Sequence, residues 1–276
     1  MSQKVNVNAY FERIGFAGSI APTLATLETI LGLHVAAIPF ENLNPFLGLP
    51  VDLDLKAIEK KLLAEQRGGY CFEHNLLLGA VLRELDYPVR NLAARVLRND
   101  PDPAEATHML LLVDITGTTY LVDAGFGGST PSSPLKLRAD SEQTTPHDIY
   151  RLTGGQQDWL LETRAGDAWK ALYRFDTVEK SAEDFASINL ALSARPDSPF
   201  VQELRVALAS PGKRLKLWDN RLTTHVTGEA PETLTLSSVD ELRDVLSGTF
   251  GIQLPAAELL DPKLEGILLK PTLSEH

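Results

Sequence analysis

The chain has 276 residues, of which 43% are hydrophobic and 23% charged, and its formal net charge is −11 at pH 7. Such a composition is typical of a globular protein with a substantial core, built as one large domain or two to three smaller ones. The negative charge argues against a nucleic-acid binder, because such proteins need clustered Lys and Arg to neutralise phosphates.

A single cysteine cannot form an internal disulfide, and the N-terminal residues include no apolar stretch typical of a secretion signal. We therefore expect a cytoplasmic protein. The most apolar region, residues 18–40, is interrupted by polar residues and does not predict a membrane span. Neither CxxC nor HExxH spacing occurs, so no metal site is predicted.

The N-terminal third of the chain predicts helices. Leu24, Leu27 and Leu31 recur at spacings of three and four, which places them on one helix face. A second helix is predicted over residues 55–63, and a third begins near Cys71, directly after a glycine pair.

The middle of the chain changes to the pattern of β-strands separated by turn signals, which predicts a small antiparallel sheet or barrel. Strands are predicted over residues 89–97, 108–115, 118–122, 157–161 and 169–175, with turns at 153–155 and 165–167.

The C-terminal part mixes both kinds of element. A helix is predicted over residues 185–192, strands over 204–208, 214–218 and 222–226, and a further helix from a capping box at 238–241 to about residue 246. The proline-containing bend at 195–199 is too short to be a linker, so any domains are expected to pack together.

The single cysteine, Cys71, lies where the third helix is predicted to begin, after Gly68 and Gly69. Backbone N–H groups and the helix dipole stabilise negative charge at such a position, which favours a reactive thiolate. The same N–H groups would stabilise the oxyanion formed when a thiol attacks a carbonyl. Free cysteines are also among the most buried residues, so position alone leaves two interpretations open, a nucleophile and a packed core residue.

A base for that thiol is predicted on a hairpin. His108 opens one predicted strand, Asp123 follows the next, and Thr116 and Gly117 suit a two-residue turn between the strands. With that turn Leu110 lies opposite Asp123, and His108 becomes the diagonal neighbour of Asp123 on the same face. The arrangement suits a base and its orienting carboxylate. Taken separately, a strand-end histidine and a turn aspartate remain the alternative interpretation.

Two further features lie close to these residues. His74 follows Cys71 by one helical turn, and we expect it to be an exposed first-turn histidine beside Glu73. Residues 125–128, Gly-Phe-Gly-Gly, would let a ligand approach backbone N–H groups, or would form a tight turn. They match neither GxxxxGK[ST] nor GxGxxG, so they are weak support for nucleotide binding.

Four motifs taken in order resemble the arylamine N-acetyltransferase family: residues 38–43 (IPFENL), 67–73 (RGGYCFE), 107–108 (TH) and 122–128 (VDAGFGG). The resemblance covers most of the first 200 residues. It implies an α+β fold with a helical bundle over 1–87, an antiparallel β-barrel over 88–192 and an α/β lid over 193–276. Its catalytic core would be of the cysteine-protease type seen in papain and transglutaminases.

The resemblance also implies a function. The family's triad carries over onto Cys71, His108 and Asp123. In the family, acetyl-CoA acetylates the cysteine, and the acetyl group then passes to an arylamine, hydrazine or N-hydroxyarylamine. Aromatic positions that line the acceptor pocket match Phe40, Phe126 and Phe200, and the neighbourhood that contacts CoA matches Thr107, Gly127 and Gly128. No metal, nucleic acid or membrane partner is implied.

Departures from the family pattern leave acceptor and acyl-donor preference open, because His74 replaces a frequent Gln and Leu190 a frequent Trp. Two other enzymes would share the triad, an amide synthase acting on a polyketide-type acyl chain and a cysteine hydrolase. A homologue that binds CoA or an aromatic ligand without catalysis is a third alternative.

Overall fold

The computed structural model describes residues 4–97, 100, 102–155 and 157–270. The helices are α1 (Val7–Ile14), α2 (Leu24–Ala37), α3 (Leu43–Phe46), α4 (Leu55–Glu59), α5 (Cys71–Glu84), α6 (Ala182–Ala194), α7 (Pro199–Gln202), α8 (Val239–Asp244) and α9 (Ala257–Leu268). Single π-helical turns extend α4 over Lys60–Ala64 and α8 over Val245–Thr249. Within the described ranges, no helix has the length and apolar character needed to span a bilayer.

The strands form two antiparallel sheets. They are β1 (Phe40–Glu41), β2 (Val89–Val96), β3 (His108–Ile115), β4 (Thr118–Val122), β5 (Leu135–Lys136), β6 (Ser141–Thr144), β7 (Ile149–Gly155), β8 (Asp158–Ala165), β9 (Ala168–Phe175), β10 (Arg205–Ser210), β11 (Lys213–Trp218), β12 (Arg221–Val226) and β13 (Glu232–Thr235). The order β5-β4-β3-β2-β9-β8-β7-β6 curls into a nearly closed barrel, and β1-β10-β11-β12-β13 make the second sheet. The α+β prediction is therefore confirmed.

Strand β3 joins the helices and the barrel into one packed unit. Met109, Leu111 and Val113 pack among the N-terminal helices, whereas Leu110 and Leu112 point into the barrel. All five are fully buried, which explains why this strand has a continuous apolar run instead of an alternating pattern. Each such side chain stabilises the fold by roughly 1.5–3 kcal/mol.

The C-terminal sheet is tied to the N-terminal part of the chain. Strand β1 pairs with β10, with Phe40 opposite Ala207. Helices α8 and α9 cover this sheet together with α3, around a core that includes Leu43, Leu215 and Leu264. Conversely, α6 packs its Phe185 into the core of the N-terminal helices. The chain thus crosses between the three predicted parts, and the limits at 87/88 and 192/193 stay predictions.

The β3–β4 hairpin has the predicted register, with Ile115 opposite Thr118. Its two turn residues, Thr116 and Gly117, both have positive φ values, of 46° and 79°. Two consecutive left-handed residues make a type I′ turn, whose twist matches that of the flanking strands. This local geometry places Asp123, the residue after β4, on the face that holds His108.

The predicted turn at 153–155 is wrong, because these residues continue β7 to its end at Gly155. Gly154 pairs with Trp159, and a Cβ on Gly154 would lie 2.2 Å from the Asp158 carbonyl oxygen. The glycine thus serves a close strand approach instead of a reversal. The pattern also missed α1 and α9, which lie outside the motif-bearing segments.

Candidate active site

Cys71 is the first residue of α5, and only 3% of it is exposed. Its approach depends on two glycines. A Cβ on Gly68 would lie 2.0 Å from the Pro39 carbonyl oxygen, and one on Gly69 would lie 2.6 Å from Oε2 of Glu73. The Glu73 carboxylate accepts the Tyr70 N–H at 3.0 Å, which fixes the start of the helix.

His108, the first residue of β3, lies between the thiol and a carboxylate. Its Nε2 donates to Oδ2 of Asp123 at 2.7 Å, and Cys71 is close enough to contribute to the pKa of the imidazole. Burial lowers the pKa of His108, but the charge and hydrogen bond of Asp123, with a smaller contribution from Cys71, raise it to about 10. The imidazole is therefore protonated near neutral pH, and an imidazolium beside a thiol favours the thiolate.

Asp123 is fully buried and accepts hydrogen bonds on both oxygens. Oδ2 accepts from His108 and from the Tyr173 hydroxyl at 3.0 Å, and Oδ1 accepts from the Asn75 amide at 3.1 Å and from the Gly125 N–H at 2.9 Å. Burial raises the pKa of Asp123, but His108, with the Gly125 and Asn75 donors, outweighs burial and holds the pKa below its usual range. The carboxylate therefore stays charged.

Asn75 and Tyr173 were missed by the sequence analysis. Asn75 follows Cys71 by four residues, so the helical repeat places both on one face, and this spacing could have pointed to it. Tyr173 comes from β9, and no local pattern relates it to Asp123. Its ring packs 5.1 Å from the imidazole of His108, centroid to centroid, and 4.9 Å from the ring of Phe126.

The Gly-Phe-Gly-Gly loop presses against the start of α5. A Cβ on Gly125 would lie 2.6 Å from the Cα of Cys71, so a side chain at this position would push the loop off the nucleophile. Gly127 has a φ of 65° and packs against the ring of Phe40. Gly128 packs against the Lys216 side chain, which a Cβ would approach to 2.8 Å.

A cavity of about 510 Å³ opens beside the thiol. Of the sequence-predicted site residues, the ones that line it are Phe40, Cys71, Thr107, His108, Phe126, Gly127, Gly128 and Phe200. Asp123 lies behind His108, out of contact with the cavity. Among the described lining residues the charged side chains are all cationic, from Lys170, Arg205 and Lys216, although the chain as a whole is acidic. No motif in the sequence points to these three cations.

One buried amide holds the segment that carries Phe200. Asn42 donates from Nδ2 to the carbonyls of Phe200 at 2.8 Å and Glu203 at 2.7 Å, and its Oδ1 accepts the Arg205 N–H at 2.7 Å. These bonds join residues about 160 positions apart in sequence. Asn42 therefore fixes the backbone position of Phe200, whose ring centroid lies 5.5 Å from that of Tyr70.

The expectation for His74 is wrong, because only 1% of this residue is exposed. Its ring stacks beside Phe40, which lines the cavity, and lies within hydrogen-bonding distance of His34 and of the Pro39 carbonyl. The partners come from α2 and from the segment before β1, so a polar first turn of α5 became part of the core.

Comparison with known proteins places this geometry in a family. The family model described as N-acetyltransferase matches residues 23–259. The arylamine N-acetyltransferase of Mycobacterium tuberculosis is 41% identical over 254 residues, which are 90% of this chain and 89% of the relative. The arylamine N-acetyltransferase / N-hydroxyarylamine O-acetyltransferase of Salmonella typhimurium is 37% identical over 248 residues, 89% of this chain and 88% of the relative.

Solved structures agree. The structure of Mycobacterium marinum arylamine N-acetyltransferase in complex with CoA superposes with a TM-score of 0.88 at 37% identity, over 95% of this chain and 98% of that one. Its agreement extends over the helices, the barrel and the C-terminal sheet, because so little of either chain lies outside the match. The chain therefore belongs to the arylamine N-acetyltransferase family.

Proposed function

We propose that this protein transfers the acetyl group of acetyl-CoA to arylamines, hydrazines and N-hydroxyarylamines through an acetyl-Cys71 intermediate. The observation that carries the proposal is that His108 bonds Asp123 at 2.7 Å while His108 and Cys71 face the same cavity of about 510 Å³. A nucleophile, a base and an orienting carboxylate in that order suit acyl transfer.

In the first half of the cycle, the Cys71 thiolate attacks the carbonyl carbon of the thioester. Backbone N–H groups at the start of α5 stabilise the oxyanion. The C–S bond to CoA then breaks, the His108 imidazolium gives its proton to the departing CoA sulfur, and acetyl-Cys71 remains. Asp123 holds the imidazole in position and stabilises its charged form.

In the second half, the amine attacks acetyl-Cys71. An arylamine is weakly basic, so it is neutral and nucleophilic near neutral pH, and the now neutral His108 accepts the proton it loses. Collapse of the tetrahedral intermediate breaks the bond between the acetyl carbon and Sγ, which restores the thiolate–imidazolium pair and releases the amide. A hydroxylamine oxygen would attack in the same way.

The cavity suits both substrates. Phe40, Phe126 and Phe200 offer a flat apolar surface to an aromatic ring. We assign contact with CoA to Thr107, Gly127 and Gly128, with Lys170 and Lys216 supplying positive charge for its phosphates. The Mycobacterium marinum relative in complex with CoA, and the Salmonella typhimurium relative named for both N- and O-acetylation, support CoA and these acceptor classes as ligands.

A catalytic thiol must stay reduced, so we infer a cytoplasmic location, where disulfides and thiol oxidation are suppressed. The chain's lone cysteine fits this compartment.

Intact-mass spectrometry tests the intermediate. After exposure to acetyl-CoA without acceptor, the mass is expected to rise by about 42 Da, one acetyl group replacing a proton on the nucleophile. Peptide mapping should place the group on Cys71, and Cys71→Ser should abolish it. Acetyl-CoA turnover that persists in Cys71→Ser would contradict the proposal.

An acceptor panel separates transfer from hydrolysis. CoA release is expected to depend strongly on added arylamines or hydrazines, with the acetylated amine as product. Release at the same rate without any acceptor would identify a cysteine hydrolase instead. A panel that gives no product, while a longer acyl donor cyclises or is released as an amide, would favour the amide synthase.

A further inference from the structure

A chain of buried hydrogen bonds ends beside Phe40, a residue that lines the cavity, and has no part in the mechanism above. The Tyr10 hydroxyl lies 2.8 Å from Nδ1 of His34, and Nε2 of His34 lies 2.8 Å from Nδ1 of His74. Nε2 of His74 lies 3.2 Å from the Pro39 carbonyl oxygen. Tyr10, His34 and His74 are at most 1% exposed, so solvent does not compete for these bonds.

One proton arrangement satisfies every atom of this chain. The Pro39 carbonyl can only accept, so Nε2 of His74 carries the proton and its Nδ1 is an acceptor. Nε2 of His34 must then donate to that Nδ1, and Nδ1 of His34 accepts the Tyr10 hydroxyl. Both rings are neutral in this arrangement.

Burial keeps them neutral. It lowers the pKa of His74 to about 4 and that of His34 well below its usual range. The charged groups near His74 are Glu41, which raises its pKa, and Lys61, which lowers it; Arg13 lowers that of His34. Each group in the hydrogen-bond chain therefore donates in the direction from Tyr10 toward Pro39 throughout the physiological pH range.

The hydrogen-bond chain ends at the Pro39 carbonyl, next to the cavity-lining residue Phe40. The Pro39 carbonyl also accepts the Gly69 N–H at 3.4 Å, and the Glu41 N–H donates to the Gly69 carbonyl at 2.8 Å. Between them lies Phe40, whose ring lines the cavity and lies nearly parallel to the His74 ring, at 12° and 6.5 Å between centroids. A shift of the Pro39 carbonyl would carry the Phe40 ring with it.

The segment before α5 shares the Gly69–Pro39 hydrogen bond, but the start of α5 is also held by contacts that do not involve Pro39. Glu73 accepts the Tyr70 N–H, and Lys61 pairs with Glu73 at 2.7 Å. Neither bond involves His74. Loss of the His74 bond to Pro39 should therefore disturb Phe40 while leaving Cys71 in place.

We propose that His74 is a positioning residue for the acceptor half of the reaction: its Nε2–H, ordered by His34 and Tyr10, fixes the Pro39 carbonyl and thereby the Phe40 ring. The inference rests on the proposed function, because it takes Phe40 as part of the acceptor pocket.

The matched pair His74→Gln and His74→Asn tests it. A Gln amide nitrogen reaches the position of Nε2 and can donate to Pro39, whereas an Asn amide ends near the position of Nδ1 and cannot. In ping-pong kinetics, kcat/KM for each substrate reports its own half-reaction. His74→Gln is expected to keep acceptor kcat/KM within about twofold of the parent, and His74→Asn to lose about tenfold or more, because a displaced wall misorients the acceptor.

The same measurement contains its own control. In both variants kcat/KM for acetyl-CoA should stay within about twofold of the parent, because Cys71 keeps its position. Equal losses in the Gln and Asn variants, an unaffected Asn variant, or an equal fall for acetyl-CoA would each overturn the positioning role.

If His74→Asn does not fold, Tyr10→Phe provides a second test of the positioning role. It removes only the hydroxyl that orders His34, and we expect acceptor kcat/KM to fall about two- to fivefold with acetyl-CoA kcat/KM unchanged, because a buried acceptor loses its donor. An unchanged acceptor kcat/KM in this folded variant would overturn the proposal that Tyr10 and His34 order the His74 ring.

Failure of the proposed function can be told apart from failure of this inference. If the parent acetylates no acceptor, the proposed function is wrong, and crystal structures of the Gln and Asn variants then decide the positioning role. Only the Asn variant should show the Pro39 carbonyl released and the Phe40 ring displaced. A ring in the parental place in both variants would overturn it.

Discussion

Asn75 donates to Asp123 across 3.1 Å, and this bond joins the helix that carries Cys71 to the loop that carries the buried carboxylate. Both the nitrogen and the oxygen of the Asn75 amide form hydrogen bonds. Its Nδ2 also donates to the Met109 carbonyl at 2.7 Å, and its Oδ1 accepts the Ala124 N–H at 3.0 Å. A single side chain therefore sets the distance between the α5 start and the barrel edge.

Asn75→Ala is expected to lower the free energy of unfolding by about 2–4 kcal/mol, because Met109, Asp123 and Ala124 each lose one buried hydrogen bond. Urea denaturation measures the loss. Asn91→Ala is the matched control, since its amide oxygen accepts from Arg83 at the surface, and it should cost less than about 1 kcal/mol. Equal losses in the two variants would contradict the role given to Asn75.

Asp123→Asn is expected to slow alkylation of Cys71 by iodoacetamide at about pH 7 by tenfold or more. The amide keeps an oxygen for His108 but removes the charge that raises the pKa of His108, so the thiolate–imidazolium pair becomes less populated. The rate is followed by mass spectrometry at Cys71. Asp114→Asn, near the turn of the same hairpin, should react like the parent, and an unchanged rate in Asp123→Asn would refute the carboxylate's role.

Asn42→Ala is expected to raise the acceptor KM by about tenfold, because Phe200 loses the amide that holds its backbone and the acceptor pocket loses one wall. Steady-state kinetics with an arylamine and with a hydrazine measure the change. The alkylation rate of Cys71 should stay as in the parent, since Asn42 does not contact the triad. A fall in alkylation with no change in KM would place Asn42 in a different role.

Gly125→Ala is expected to destabilise the protein by about 1–3 kcal/mol and to reduce transfer, because the new Cβ would lie 2.6 Å from the Cα of Cys71. Gly248→Ala is the control. It lies in an exposed helical turn, and nothing outside its own helix lies within 4 Å of the added Cβ, so it should leave stability unchanged or raise it by about 0.5–1 kcal/mol. Thermal denaturation of both variants provides the comparison, and a Gly125→Ala protein as stable as Gly248→Ala would contradict it.

The pH dependence of stability should report on His74. Its pKa is lowered from 6.5 to about 4 in the fold, mainly by burial, so the unfolded chain takes up a proton first as the pH falls. The free energy of unfolding is thus expected to decrease as the pH falls from 6.5 to about 4. His74→Gln lacks this group and should lose roughly 2–3 kcal/mol less over that window, measured by urea denaturation at about pH 7 and at the acid limit of reversible folding. Parallel pH profiles would show that His74 does not titrate with this shift.

Local patterns determined the elements that position His108 and Asp123. A two-residue turn with Thr116 and Gly117 sets its own register, and strand alternation then places both side chains on one face without any distant contact. The glycine pair before Cys71 likewise marks the start of α5, because only the absence of a side chain allows that approach. Both features depend on residues that are neighbours in sequence, and the family motifs indicate the chemistry.

Contacts between distant segments decided the rest. His74 has a polar neighbourhood in sequence, yet His34 and Pro39, some 35 to 40 residues away, bury it. Tyr173 reaches Asp123 from β9, 50 residues further along the chain. No pattern within a short stretch of sequence predicts such partners, because burial and hydrogen bonding depend on which elements pack together in the fold. The sequence by itself therefore determined the nucleophile's helix start and the base–carboxylate hairpin, and only the tertiary structure decided which buried polar groups hold them.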